Sequence, residues 1–412
     1  MSPGDMSSVA VARIPRFLPA VFVALAAAGA LAFIVAASGN EPLRAWQAYL
    51  VNFLFWTGMS FGAVLFVAVL NITGARWGRP LKRLAEGFAA FLPVTFILFW
   101  VLYLGRAEIF YWVRQPNPEK AAWLNAPFFF IRDGAALLLM TLLALALVFY
   151  SVKGDLHWSE RKGAGAGAGE QVTGWAAAWR KQQMLSPALI IALAFLLSLI
   201  GFDLIMSLDP SWYSTLFGGY FFIGCFYTGI VALYLLSMFV AGTESFKLYL
   251  RPRQLHDLGK LAMAFCIFTG YLFYAQFLTI WYGNLPEETR YVILRAKLTP
   301  WEPLAWAVLF MVFLGPLFFF LSRRMKVKKI PVIVMSVVIM VGMWLERFIL
   351  VVPSLWKQDS IPVGPTEVLV TAGFFGLMGL SITSFLQRVP LLPISDPLFR
   401  KLQEKAQERL EP

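Results

Sequence analysis

A chain that returns again and again to runs of about twenty apolar residues has few folds open to it, because that is the length an α-helix needs to cross a bilayer. Ten such runs occur, at 16–38, 46–71, 84–104, 127–151, 185–208, 213–241, 258–282, 300–322, 330–352 and 366–387. Backbone groups inside a membrane have no water to bond with, so segments of this length must be helical. The expectation is an all-α polytopic membrane protein with ten transmembrane helices. Composition agrees: 59% of residues are hydrophobic and 14% charged, against about 25% charged in soluble domains. The first run follows Arg13 and Arg16 and precedes Ala36-Ala37-Ser38, as a secretory signal would. Its apolar core is longer than the ~7–15 residues of a signal, so it reads as a retained span.

Most of the 35 lysines and arginines fall before span 1, in the even-numbered loops and after span 10. Basic loops stay in the cytoplasm, which predicts cytoplasmic termini. The net charge of +12 is thereby accounted for without a nucleic-acid partner.

The chain also repeats itself. Asp203 stands seven residues before Pro210-Ser211-Trp212, and Glu346 stands seven before Pro353-Ser354, with Trp356 following. Phe55-Trp56-Thr57-Gly58 in span 2 matches Phe226-Tyr227-Thr228-Gly229 in span 6, and Arg79-Pro80 before span 3 matches Arg251-Pro252 before span 7. The shift is four spans, an even number, so two four-helix bundles (46–208 and 213–352) are expected as a parallel repeat. Residues 1–45 and 366–387 would supply one peripheral helix each, and 388–412 a cytoplasmic tail.

Intramembrane acids are costly and mark candidate sites. Asp203 and Glu346 fall about 10 Å inside the outer surface, at 1.5 Å per residue. Asp133 in span 4 lies at a similar depth, and Glu302 in span 8 lies nearer the surface. Arg132 and Arg347 adjoin two of these acids. Neighbours in sequence do not face each other on a helix, so their partners are expected on other helices. Asp203 has no adjacent base and is expected to be the less neutralised of the repeated pair. Tyr274 and Gln276 form a polar stripe in span 7. Together these residues suggest the outer end of a proton path or a quinone pocket; interhelical packing is the competing explanation. On the inner side Glu86, His256, Asp257 and Lys260 open spans 3 and 7 and could line inner half-channels or sit at headgroups.

Other chemistry is poorly supplied. The two cysteines, Cys225 and Cys266, sit singly in apolar runs, and the two histidines, His157 and His256, sit at the ends of runs. No metal site, iron–sulfur ligand set or covalent haem motif is present. Two stretches lie outside the spans. Residues 153–183 hold the flexible run 163–169 and then Trp175 and Trp179, expected as a short interfacial helix. The tail from Asp396 reads as an amphipathic helix with Leu398, Leu402 and Leu410 on one side, either docked on a partner or lying on the surface.

The run His256-Asp257-Leu258-Gly259-Lys260-Leu261, followed by Tyr274-Ala275-Gln276 and Trp281-Tyr282-Gly283-Asn284-Leu285-Pro286-Glu287-Glu288-Thr289, resembles the polysulfide-reductase/NrfD-type membrane subunits, most closely the ActF-type subunits of bacterial alternative complex III. The resemblance implies a subunit of a quinol:cytochrome c (or similar acceptor) oxidoreductase in the bacterial cytoplasmic membrane. It implies menaquinone or another quinone as substrate, and haem and iron–sulfur centres carried by partner subunits. Those partners would be an iron–sulfur protein, a c-type cytochrome, a homologous NrfD-like subunit and, in some assemblies, a terminal oxidase. It places a quinol site in the first bundle near the outer side, where this sequence has Asp133 and Asp203 but no histidine. It also implies proton half-channels. A secondary transporter and a purely structural anchor are the other classes considered. A transporter would require broken helices at matching midplane positions, and Pro316 in span 8 has no counterpart in span 4.

Overall fold

The computed structural model describes residues 11–407 except 13, 164–167 and 210, and no side chain in 157–175, 244–245 or 405–407. The 163–169 run therefore falls largely outside the described residues, as do Arg13, Pro210, the side chains of His157 and Trp175, and Arg409 and Leu410. The described residues are helical with no strand. Ten helices are long and apolar enough to span a membrane: Phe17–Ala37, Pro42–Thr73, Arg79–Leu104, Ala126–Leu156, Ala176–Leu208, Phe217–Val240, Pro252–Gly283, Glu302–Leu321, Lys329–Leu355 and Pro365–Leu386. They are called spans 1 to 10. An even number of crossings puts both termini on one side, here the terminal side, and Ala12 N–H donates to the Leu386 carbonyl there (3.1 Å). The opposite side is the far side.

Spans 2, 3, 4 and 5 close a ring of contacts, and spans 6, 7, 8 and 9 close another. The rings meet where span 2 lies against span 6, with span 5 on span 6 and span 9 on span 2. Spans 1 and 10 pair with each other outside the rings, and span 10 also covers spans 2 and 3. Spans 2 and 6 are consequently the most buried, which explains why they read as apolar all round rather than as amphipathic.

The duplicated Thr-Gly motifs sit at this central crossing. A Cβ on Gly229 would stand 2.3 Å from the Ala63 amide nitrogen, and one on Gly62 would stand 2.0 Å from the Cys225 carbonyl oxygen. Only glycine permits that approach of backbones, the small-residue packing typical of membrane helices.

Proline shapes spans 8 and 9. Pro316 has no N–H, so the Val312 carbonyl four residues earlier loses its helical donor. The chain runs as π-helix over Leu309–Leu314, and the Tyr227 hydroxyl donates to Val312 O (3.3 Å), with the Cys266 thiol at 3.5 Å. Pro353 likewise frees the Ile349 carbonyl, which accepts from Arg295 Nε at 3.0 Å. Arg295 lies on an amphipathic helix, Pro286–Ala296, between spans 7 and 8.

Two extramembrane expectations need correction. Residues from Ala176 onward do not form a separate interfacial helix; they continue without a break into span 5. Trp179 instead lies against Arg79 and Lys82, at 5.3 and 5.5 Å from its ring centre. The tail neither floats on the surface nor awaits a partner over its first turns. Ser395, Asp396 and Phe399 are buried against this chain's own rings, because buried cations in span 3 need the Asp396 carboxylate.

Candidate functional site

On the far side of the first ring, Arg132 on span 4 reaches across to Asp203 on span 5. Its Nη2 and Nε donate to Asp203 Oδ2 at 2.6 and 3.0 Å. The Trp123 indole N–H donates to the other carboxylate oxygen at 2.9 Å, and its ring lies 3.9 Å from the Arg132 guanidinium carbon. Phe128 lies on the guanidinium as well, at 4.8 Å. Asp203 is therefore fully served, by an arginine, an indole and an aromatic enclosure.

Asp133 is not. It is 0% exposed, and neither of its carboxylate oxygens accepts a hydrogen bond. Its nearest cation is Arg132 Nε at 3.7 Å, already committed to Asp203. This reverses the expectation from sequence: Asp203, with no base beside it in the chain, is the neutralised acid, and Asp133, next to an arginine, is the orphan. The reason is geometric. Arg132 extends toward span 5 rather than folding back onto its chain neighbour.

The second ring is arranged differently. Arg347 turns back onto its own neighbour, with Nη1 2.7 Å from Glu346 Oε2, contrary to the expected partner on another helix. Its long side chain can fold back along the helix. The guanidinium lies against the Phe221 ring (4.4 Å) and donates weakly to the Cys225 sulfur (3.8 Å), and Tyr220 borders Glu346. Glu346 keeps its ion pair within its own helix, and its Oε2 has no hydrogen-bond partner beyond that pair.

The other far-side residues do not join either cluster. Glu302 is half-buried at the start of span 8 and forms no ion pair among the described residues. Tyr274 is 59% exposed on the outward face of span 7, and Gln276 beside it is only half-buried, accepting at its backbone carbonyl from Thr279. The span-7 stripe is thus an outward-facing belt, not a lining of the ring.

Sequence reasoning missed what holds the repeated Pro-Ser-Trp motifs together. Trp212 stacks on Tyr291 with centroids 3.7 Å apart and planes 6° from parallel. Arg295 covers the other ring (3.4 Å) and donates to the Leu350 carbonyl (3.1 Å) and Ser354 Oγ (2.6 Å). One helix thereby bridges the end of each ring. Burial holds the Tyr291 hydroxyl up at about 12, so the stacked ring stays neutral. The available signal was Pro353, whose missing N–H demands a donor from elsewhere.

On the terminal side, Glu86 is 0% exposed and pairs with Arg83, which also pairs with Asp155. Lys82 and Arg79 both reach Asp396 Oδ2, at 3.0 and 2.9 Å. All six groups are buried, so Lys82 is not a headgroup charge. The corresponding residues of the second ring stay at the surface: Lys260 pairs with Asp257 (2.9 Å) in the open, and His256 is half-buried beside them.

No group of three or more metal-ligating side chains occurs among the described residues. No curated protein matches the chain. A family model described as polysulphide reductase, NrfD matches residues 38–357, a stretch that takes in spans 2 to 9 and leaves out the peripheral pair. With both rings inside that match, the chain belongs to the polysulphide reductase, NrfD family.

Proposed function

We propose that this chain is the quinone-side membrane subunit of a quinol:acceptor oxidoreductase of the alternative complex III type. Membership of the family places it among membrane subunits of redox enzyme complexes that work with iron–sulfur proteins. The finer reading rests on one observation: a buried aspartate, Asp133, with both oxygens unpartnered. A buried polar group without a partner costs roughly 1–3 kcal/mol or more, and a ligand or a proton there would offset that cost.

The residues fit a quinol headgroup. Asp133 offers two free acceptor positions, and Trp123, Phe128 and Phe129 supply flat apolar surface around Arg132. A quinol, when bound, supplies electrons and protons. Asp133 accepts the hydrogen bond of a hydroxyl and then its proton, since it has no competing donor. Arg132 and Trp123 engage both oxygens of the neighbouring Asp203, which leaves Asp133 free to face the ligand. Electrons leave to iron–sulfur and c-haem centres in partner subunits, since this chain has only two cysteines and neither a four-cysteine set nor a CxxCH motif. Menaquinone, a homologous NrfD-like partner, a terminal oxidase and an orientation with both termini in the bacterial cytoplasm complete the reading. The outer position follows from the lysine and arginine distribution.

Asp133→Asn in the assembled complex is expected to lower quinol turnover by roughly 10²–10⁴-fold, the usual contribution of a general base, with quinone still bound. Wild-type turnover in a correctly assembled Asp133→Asn complex would contradict the assignment.

A further inference from the structure

At the other end of the first ring lies a second buried carboxylate whose surroundings are incomplete. Three cations, Arg79, Lys82 and Arg83, face three acids, Glu86, Asp155 and Asp396. The charges balance, but the hydrogen bonds do not. Asp155 gives one oxygen to Arg83 and the other to Ser395, whose backbone N–H and hydroxyl donate at 2.7 and 2.5 Å. Asp396 takes Arg79 and Lys82 on Oδ2, and its Oδ1 caps the following helix through Leu398 N–H (2.9 Å). Lys82 is further held by Gln182 (2.8 Å), and Arg79 by Asn71 (2.8 Å) and the Leu70 carbonyl (2.6 Å). Glu86 alone is left with a free oxygen: its Oε1 accepts nothing, and Arg83 Nε donates to nothing. The Ser151 hydroxyl borders the same spot. An unfilled acceptor, an unfilled donor and a hydroxyl in one buried place are the partners an internal water needs.

What closes this place from the terminal side is a short irregular segment, 391–396, between span 10 and the tail helix Pro397–Gln407. Ser395 and Asp396 plug into the charges; Phe399 fixes the helix behind them against Tyr249 (5.1 Å) in the loop between spans 6 and 7. A strap of this kind can lift without unfolding a span.

We infer that Glu86 is a second proton-exchanging carboxylate, served by water from the terminal side, and that the Ser395–Asp396 strap governs its access. The proton passes from a hydronium at the opening to Glu86 Oε1, leaving water, and returns to water as hydronium by the same route, with Arg83 retaining its charge throughout. When the strap lifts, Asp155 loses its Ser395 donors and Arg79 and Lys82 lose their carboxylate, so water enters to replace them and reaches Glu86. The second ring has no such device, because its equivalent charges are already at the surface.

The test is carbodiimide labelling of protonated carboxyl groups in the purified full complex, read at Glu86 by peptide mass spectrometry, with the half-buried Asp257 of the second ring as internal standard. Asp396→Asn is expected to raise the Glu86 labelling rate by about tenfold or more, the factor carried by one charge-assisted hydrogen bond, with Asp257 unchanged. Ser395→Ala removes one donor to Asp155 and keeps the Asp396 pairs; it is expected to give a smaller rise in the same direction. Rates at Glu86 equal in wild type and both variants, or no labelling of Glu86 in any form, overturn the inference and leave the cluster a packing device. The readout needs no turnover, so it stands apart from the fate of the far-side reading.

Discussion

One guanidinium, Arg132, stands near two carboxylates and fully serves one. Asp203 receives its charged hydrogen bonds and an indole N–H; Asp133 is left at 3.7 Å with none. Removing the arginine should therefore do more than weaken a contact. Arg132→Gln leaves Asp203 buried without its cation and is expected to cost about 3–5 kcal/mol, seen as a lower unfolding temperature of the solubilised complex. Asp203→Asn, which keeps the hydrogen-bonding shape, should cost less. Asp396 carries a pH signature. Burial would raise its pKa, but Lys82 and Arg79 outweigh that and hold it below the ordinary 3.8. A depressed folded pKa means its contribution is complete above the unfolded value and is lost as pH falls through the lower folded one. Sustained tail release, followed by limited proteolysis after residue 387, should thus begin only below about 3.8, and at neutral pH the strap should open no more than transiently. Release already at pH 6 would contradict that sign. At this scale the sequence marks which acids lie in the membrane, because an acid in an apolar run stands out. It does not reveal which acid is neutralised. That depends on which way Arg132 and Arg347 turn, and the two turn opposite ways.

The elements were the most legible part, since hydropathy over twenty residues reports a membrane span almost directly. The Thr-Gly echo also carried information: its glycines form the span 2–span 6 crossing, where Gly229→Leu must displace the Ala63 backbone. That substitution is expected to cost at least the ~1–3 kcal/mol of core overpacking and to lower the yield of folded protein in detergent, while Gly219→Ala, with open space around it, should be silent. The Pro-Ser-Trp echo was read as a marker of the acids; its physical content is different. Pro353 withholds an N–H from Ile349, and Arg295 supplies the replacement from a helix 54 residues away. Arg295→Met leaves that carbonyl unfilled and is expected to destabilise the chain by about 1–3 kcal/mol, measured by thermal unfolding; Arg295→Lys, which cannot reach three acceptors with a planar fork, should recover only part. Such long-range pairings, like the Ser395–Asp155 bond, leave no periodic trace in the sequence. The continuation of span 5 back to Ala176 was missed for a related reason: Gln182 looks like a surface residue until it is seen buried and bonded by Lys82.

Across the whole molecule, the family match and the ring contacts describe the same unit, spans 2 to 9, with spans 1 and 10 as an outer pair. The two rings share a plan and differ in their charges. The first buries Asp133 on the far side with no hydrogen bond to either oxygen, and Glu86 on the terminal side with one oxygen unfilled. The second pairs Glu346 within its own helix, with Oε2 lacking a hydrogen bond, and keeps Asp257 and Lys260 near the surface. The proposed proton chemistry is placed in the first ring because Asp133, alone of these acids, lacks a hydrogen bond at both oxygens. The most direct test is quinol:acceptor turnover of the assembled complex carrying Asp133→Asn, beside Glu346→Gln as its counterpart. The account predicts a loss of roughly 10²–10⁴-fold for Asp133→Asn and near-normal specific activity for Glu346→Gln in whatever assembles. Full turnover with Asp133→Asn, or an equal loss in both, would contradict it.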